Sequence, residues 1–184
     1  ALNAARSMPD WLDPKTPNVA SLLKSAGYST AHFGKWHLGN GEGAPTPAEY
    51  GFDDSRTVNS SGPGWVEPDL TFRAKSSAAI VDETIRFIRA HQNRPFFVNV
   101  WSLVPHAPLS PTEEQMQPYQ RFGVGGKEFP HKTAAQIYYA SVTDLDAQVG
   151  RLLAELEKLG LADHTLVLFS SDNGPEDIHI SNAG

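Results

Sequence analysis

The chain has 184 residues, 40% of them hydrophobic and 20% charged, which provides the apolar material for one packed domain or for part of a larger one. The 21 Asp and Glu against 15 Lys and Arg give a net charge of −6, and there is no basic run, so neither a nucleic acid nor an anionic membrane surface is an expected partner. No apolar run of about 18 residues is present, which excludes a bilayer-spanning helix, and the absence of cysteine excludes disulfides, thiolate metal sites and a cysteine nucleophile in this chain.

The first predicted helix covers Pro17 to Ala26, where apolar residues recur at the i, i+3, i+4, i+7 positions of one helical face. Thr16 is the expected N-cap, and Gly27 is suited to the left-handed position after the helix. The run from Tyr28 to Phe33 then predicts a strand.

Two further units repeat this order. An amphipathic helix from Ala74 to Ile88 precedes an aromatic and β-branched strand from Phe96 to Leu103. A longer helix from Tyr138 to Leu159, ended by Gly160, precedes a strand from Thr165 to Ser170. Helices that alternate with short apolar strands predict an α/β fold, in which a parallel sheet carries helices on both faces.

Two long connections interrupt this pattern, from Asn40 to Leu70 and from Pro105 to Lys132, and both are rich in Gly and Pro. Connections of this length inside a compact domain are usually functional or mobile. They are therefore expected to shape a binding site.

Polar side chains follow each of the predicted strands. Lys35 and His37 come after the first strand, His106 after the second, and Asp172 and Asn173 after the third. Ligands of open parallel sheets bind beyond the carboxyl ends of the strands, so these side chains are expected to lie together.

The chemistry of these residues suits an anion. Lys35 and His37 alternate along an extended chain and can face one side as a clamp, although each alone would more often be a surface lysine or a structural histidine. His106 is held between Pro105 and Pro108, and it can donate to an anionic oxygen or protonate a leaving group. A turn histidine without a function is the alternative for His106.

Asp172 and Asn173 offer hard oxygen ligands suited to Ca²⁺ or Mg²⁺. Two side chains are too few, because Ca²⁺ takes about 6–8 oxygens, and a simple Asp-Asn-Gly turn is the alternative. Asp53 and Asp54 are available but resemble the polar end of a loop. The remaining histidines are interpreted as structural or surface residues: His32, His91, His131, His164 and His179.

The segment from Gly27 to Gly39, which ends in Gly-Lys-Trp-His-Leu-Gly, resembles the second signature of the sulfatases, the formylglycine-dependent sulfate ester hydrolases of the alkaline phosphatase superfamily. Later stretches resemble further landmarks of that family in the same order, namely Gly51 to Asp53, Pro105 to Pro108, and Thr165 to Gly174. The resemblance spans nearly the whole chain and implies the sulfatase-like α/β fold.

The resemblance also implies roles for single residues. Lys35 and His106 would hold the sulfate oxygens, and His37 would contact the formylglycine hydroxyl and assist its proton transfers. Asp172 and Asn173 would bind a divalent cation, Ca²⁺ before Mg²⁺. In this family a hydrated formylglycine attacks sulfur, the alcohol leaves, and the sulfated intermediate collapses to release sulfate.

Parts of the family pattern are missing from the chain. Formylglycine is made from Cys or Ser in a Cys/Ser-x-Pro-x-Arg motif; the run from Ser7 to Trp11 is a near miss, with Trp11 in place of arginine, and is interpreted as coincidence. A paired-aspartate strand and a downstream lysine are also missing. The hypothesis is that residues 1–184 are the central portion of one sulfatase catalytic domain, whose nucleophile region and C-terminal subdomain lie outside this chain, and that the isolated segment is inactive.

The leading functional hypothesis is hydrolysis of a sulfate ester on a carbohydrate. The alternatives are a phosphomonoester, phosphodiester or phosphonate hydrolase of the same superfamily, and a catalytically inactive protein that binds sulfated glycans. Family analogy implies a periplasmic or extracellular location, whereas the compartment, the oligomeric state and the individual substrate are not encoded in any motif of this chain.

Overall fold

The computed structural model describes residues 8, 10–39, 43–58, 70–106, 108–123 and 132–174. Ser7 and Pro9 of the near-miss motif, and His131 and His179, lie outside these ranges.

Four helices and three strands make up the regular structure of the described residues. In chain order they are α1 (Val19–Ser25), β1 (Ser29–Lys35), β2 (Asp54–Val58), α2 (Leu70–His91), β3 (Phe96–Trp101), α3 (Glu113–Met116) and α4 (Lys132–Lys158). Short 3₁₀ turns occupy Pro47–Tyr50, Gln117–Phe122 and Ala162–His164.

The strands form one parallel sheet in the order β2-β1-β3, with β1 in the centre. Ala31 of β1 lies opposite Asp54 on one side and Val98 on the other. The pairing of β1 with β3 ends at Gly34 and Trp101, whereas the pairing with β2 continues to Lys35. The carboxyl ends of all three strands therefore share one edge.

The cap of α1 lies later than the sequence predicts. Asn18 is the N-cap, because its side chain accepts a hydrogen bond from the Ser21 N–H at 3.0 Å while the Ser21 hydroxyl accepts from the Asn18 N–H at 3.4 Å. The expected cap, Thr16, is wrong because this reciprocal pair outcompetes it. Gly27 has the expected left-handed conformation, with φ of +89°.

Helices cover both faces of the sheet. On one face, Ala31 and Phe33 pack against Ile80 and Phe87 of α2. On the other face, Ala20 of α1 joins a cluster of buried aromatic residues, namely Trp36, Tyr50 and Phe52. Helix α4 packs against α2, where Arg89 pairs with Glu155 at 2.7 Å. The predicted α/β class with a parallel, doubly covered sheet is confirmed.

The first long connection contains a strand that sequence patterning missed. β2 begins with the polar residues Asp54, Ser55 and Arg56, and only Thr57 and Val58 at its end are fully buried. An edge strand with this composition gives no apolar run to detect. The second connection likewise contains α3 and a 3₁₀ turn.

The predicted strand from Thr165 to Ser170 is wrong as a member of this sheet. Leu166, Leu168 and Phe169 are 83%, 84% and 80% exposed, and the segment is paired with neither edge strand in the part of the chain that the structure describes. Apolar and β-branched composition favours an extended backbone, but a strand forms only where a partner supplies the hydrogen bonds.

Across the described ranges, no helix combines the length and the apolar character that crossing a membrane requires.

Candidate functional site

Two of the segments that the sequence singled out follow strands at the carboxyl edge of the sheet. β1 ends at Lys35 and is followed by His37, while β3 ends at Trp101 and leads into His106. Because the strands are parallel, both segments leave the sheet at the same edge.

Lys35 and Asp172, which are far apart in sequence, are neighbours in the structure. The Lys35 ammonium lies 3.9 Å from the Asp172 carboxylate; the lysine side chain is 18% exposed and the aspartate side chain 75% exposed. An ion pair this long, with one highly exposed partner, contributes little to stability. The pairing is therefore weak enough for an incoming anion to displace Asp172.

Gly34 permits the close approach of β1 and β3 just before Lys35. Its φ is +113°, and a Cβ at this position would lie 2.8 Å from the Trp101 carbonyl carbon and 3.1 Å from Cδ1 of Ile80. Only glycine fits between these groups. The close contact between Gly34 and Trp101 therefore fixes the backbone immediately before Lys35, and any side chain at position 34 would disrupt it.

Trp36 anchors the segment between Lys35 and His37. Its ring is fully buried, with Tyr50 at 5.3 Å between ring centroids, whereas His37 is exposed. Downstream, the Leu12 N–H donates to the Leu38 carbonyl at 2.7 Å, and the Tyr50 hydroxyl donates to the Leu12 carbonyl at 2.6 Å. The short Lys-Trp-His stretch is therefore fixed at both ends.

The described hydrogen bonds of His106 and Asn173 are to residues close to them in sequence. His106 is exposed, and its backbone N–H donates to the Leu103 carbonyl at 3.0 Å. Asn173 is exposed, and its amide donates to the Gly174 carbonyl at 2.6 Å. The ion pair between Lys35 and Asp172 joins two predicted site residues directly.

The divalent cation implied by the family does not fit the described residues alone. No group of three or more His, Asp or Glu side chains is close enough to hold a metal within these ranges. Asp172 and Asn173 have suitable oxygens, but they supply two of the roughly six or more that Ca²⁺ requires.

Asp53 and Asp54 lie at the opposite, amino edge of the sheet and do not join this site. Asp53 pairs with Lys24 at 2.7 Å and accepts from the Thr30 N–H at 3.0 Å. Burial alone would raise the pKa of Asp53, but the hydrogen bonds from Lys24 and Thr30 outweigh it and hold the pKa below the usual value. Asp54 pairs with Arg86 at 2.7 Å. Both carboxylates have partners that belong to the fold; the loop expected here is a strand from Asp54 onward.

His32 is completely buried beneath the Lys-Trp-His stretch. Burial lowers its pKa to about 4, although a hydrogen bond with the Lys35 carbonyl partly opposes the shift. Its ring makes edge contacts with Trp36, Phe52 and Trp101 at centroid distances of 4.9, 5.4 and 5.0 Å. The sequence interpretation of His32 as structural agrees with this placement.

The buried His32 should make the protein less stable in acid. The unfolded chain takes up a proton on His32 as the pH falls below about 6.5, whereas the folded chain resists until about 4, so stability is lost across that interval. Between about pH 7.5 and pH 4.5 the loss from this group should be about 2–3 kcal/mol. We expect His32→Met to reduce the pH dependence of the urea unfolding free energy by this amount in the full-length protein. An unchanged pH dependence would contradict a neutral buried imidazole.

Most of the chain is similar in sequence to known proteins. The family model described as Sulfatase matches residues 3–179. The chain belongs to the sulfatase family. Among curated sulfatase relatives, it is 33% identical to an ulvan-active sulfatase of Formosa agariphila over 85% of this chain and 35% of the relative. It is 30% identical to arylsulfatase A of Bos taurus over 90% of this chain and 37% of the relative. The chain thus spans about a third of the length of these sulfatases.

Solved structures share the fold of this sulfatase chain. A structure described under the metabolism of multiple glycosaminoglycans by Bacteroides thetaiotaomicron matches with a TM-score of 0.67 at 20% identity, covering 90% of this chain and 47% of that one. Ps i-CgsB in complex with k-i-k-neocarrahexaose matches with a TM-score of 0.64 at 19% identity, covering 83% of this chain and 40% of that one. At these identities the likeness concerns the fold.

Proposed function

We propose that residues 1–184 are the central portion of the catalytic domain of a sulfatase, and that the full-length protein hydrolyses a sulfate ester on a carbohydrate. The observation that supports this most is the position of Lys35 at the carboxyl edge of the sheet, with a largely buried side chain that is loosely paired with Asp172. Family membership supports the reaction class. The carboxyl edge of a parallel sheet is where ligands of such sheets bind, which supports an anion site there.

The residues of this chain would act through charge. Lys35 would bind a sulfuryl oxygen and stabilise the negative charge that grows on it as the ester bond breaks. His106, on its proline-flanked loop, would donate to another oxygen, and His37 would hold or pass a proton near the nucleophile. Displacing Asp172 from the ammonium would expose Lys35 to the anion.

The nucleophile and the cation require residues beyond the described ones. The chain has no cysteine, and the near-miss motif lacks arginine, so it offers no position that fits a formylglycine. We propose that Asp172 and Asn173 supply two oxygens to a divalent cation, Ca²⁺ before Mg²⁺, with the other ligands coming from outside this set.

A carbohydrate substrate is favoured by the relatives. The Formosa agariphila protein is described as ulvan-active, and the matched Ps i-CgsB structure holds a neocarrahexaose. Exposed polar side chains at the sheet edge, including His37 and His106, suit a hydrated, hydroxyl-rich ligand better than an apolar one.

Replacing Asp172 tests the proposed cation ligand. Asp172→Ala should weaken Ca²⁺ binding by the full-length protein roughly tenfold or more, because it removes the charged member of the pair. Isothermal titration calorimetry with CaCl₂ measures this directly. Asp82→Ala is the matched control, since Asp82 is also an exposed, ion-paired carboxylate but lies on α2 and pairs with Arg151. Equal Ca²⁺ affinity in the wild type and Asp172→Ala would contradict the assignment.

The reaction class is tested by comparing matched aryl sulfate and aryl phosphate esters with the full-length protein. Faster turnover of the sulfate is expected. Preference for the phosphate would instead identify a phosphoester hydrolase built on the same anion clamp. If neither ester turns over and a sulfated oligosaccharide binds, the protein is a glycan-binding member of the family without catalysis.

A further inference from the structure

His32 contacts the backbone carbonyl of Lys35, the residue proposed to bind the anion. Its ring is fully buried, and Nε2 lies 3.0 Å from the backbone carbonyl oxygen of Lys35. A carbonyl oxygen can only accept, so Nε2 must carry the proton. In the neutral ring Nδ1 then keeps a lone pair, and this buried atom has no hydrogen-bond partner among the residues that the structure describes. The ring is therefore committed to a single tautomer by a single contact.

The contacted carbonyl lies where β3 no longer pairs with β1. The β1–β3 ladder ends at the pair Gly34 and Trp101, so the Lys35 carbonyl lies beyond the last residue pair of that ladder. On the other side, the Trp36 N–H donates to the Val58 carbonyl of β2 at 3.2 Å. The Lys35 carbonyl and the Trp36 N–H belong to the same peptide unit, and this unit is thus held from both sides.

The orientation of this peptide unit is set by ψ of Lys35 and φ of Trp36. A change in one of these torsions that the other does not compensate changes the direction of the Lys35 side chain relative to the chain that continues to His37. Trp36 is fully buried and resists movement. Among the described residues, the hydrogen bond from His32 is consequently a polar restraint on the Lys35 carbonyl side of the unit.

We propose that His32 is a positioning residue for the anion site, which fixes the Lys35–Trp36 peptide and through it the directions of Lys35 and His37. This rests on the proposed function of Lys35. The three aromatic rings around His32, from Trp36, Phe52 and Trp101, keep its imidazole in one orientation and keep water away from it. An apolar residue would fill the same space but would leave the Lys35 carbonyl without this donor.

Two substitutions in the full-length protein separate positioning from packing. His32→Met removes the donor and keeps an unbranched side chain of similar reach; it should lower kcat for a sulfate ester about 10- to 100-fold. His32→Gln places an amide N–H₂ near the position of Nε2 and should restore most of the lost kcat. Phe87→Leu is the control, because Phe87 is equally buried but packs on the opposite face of the sheet. It should lower the unfolding midpoint without lowering kcat.

The tautomer gives a readout that does not depend on activity. Nitrogen-15 NMR of the His32 ring should show protonated Nε2 and unprotonated Nδ1 at neutral pH. Protonated Nδ1, full kcat in His32→Met, or equal losses in His32→Met and His32→Gln would overturn the assignment. Absence of sulfate ester turnover in the wild type would overturn the proposed function instead, and the NMR result would still decide whether His32 donates to Lys35.

Discussion

Replacing Lys35 by methionine is expected to lower kcat/KM of the full-length protein for a sulfate ester by about 100- to 1,000-fold, the cost of removing one preorganised donor from an anionic transition state. The side chain is only 18% exposed, so its charge acts in a partly desolvated setting. Methionine preserves the length of the aliphatic stem and removes the ammonium. Steady-state kinetics on an aryl sulfate measures the loss.

Lys24→Met is the matched control for this substitution. Lys24 is also paired with an aspartate, Asp53, at 2.7 Å, but it lies on α1, its partner is at the amino edge of the sheet, and its side chain is 46% exposed. Its loss should leave kcat/KM within about threefold of the wild type and cost at most about 1 kcal/mol of stability. Equal losses in both variants would show that Lys35 acts through general charge and not as a ligand of the sulfate.

The second large effect is expected from Gly34→Ala. The new methyl group would overlap the Trp101 carbonyl and touch Ile80, and the φ of +113° strains any L side chain, so we expect a loss on the order of 3–5 kcal/mol in unfolding free energy. β1 and β3 must separate at the carboxyl edge to relieve the clash. Urea denaturation of the full-length protein measures the loss.

Gly27→Ala isolates the steric part of that effect. Gly27 also has a positive φ, of +89°, but a Cβ there meets no atom within 4 Å. It should cost only the conformational strain, about 1–2 kcal/mol. If Gly34→Ala were no worse than Gly27→Ala, the close approach of β1 and β3 would not be required by the fold.

Much of the fold could be predicted because local pattern and tertiary role agree. The helix at residues 132–158 carries an apolar stripe that packs on α2, and the strand at residues 96–101 is aromatic and β-branched. The strand Asp54–Val58 was missed because its polar start contributes backbone hydrogen bonds and not side-chain burial to the sheet. The strand predicted at residues 165–170 is wrong for the opposite reason. The segment has apolar side chains, but among the described residues no strand pairs with it.

The candidate site could be anticipated only in part. Strand-end placement pointed to Lys35 and Asp172, and the structure brings these two together at 3.9 Å. His32 gave no signal as a contributor, because a histidine within an apolar strand looks the same whether or not its ring nitrogen reaches a neighbouring carbonyl. That contact depends on where β3 leaves the ladder, which is a property of the assembled sheet.

A crystal structure of the full-length protein with a sulfated oligosaccharide would test the anion site most directly. The expected result is a sulfate group with an oxygen about 2.7–2.9 Å from Nζ of Lys35, with His37 and His106 lining the same cavity and Asp172 displaced from the ammonium. A sulfate group bound away from Lys35, or Lys35 and His106 on opposite rims of the cavity, would contradict it.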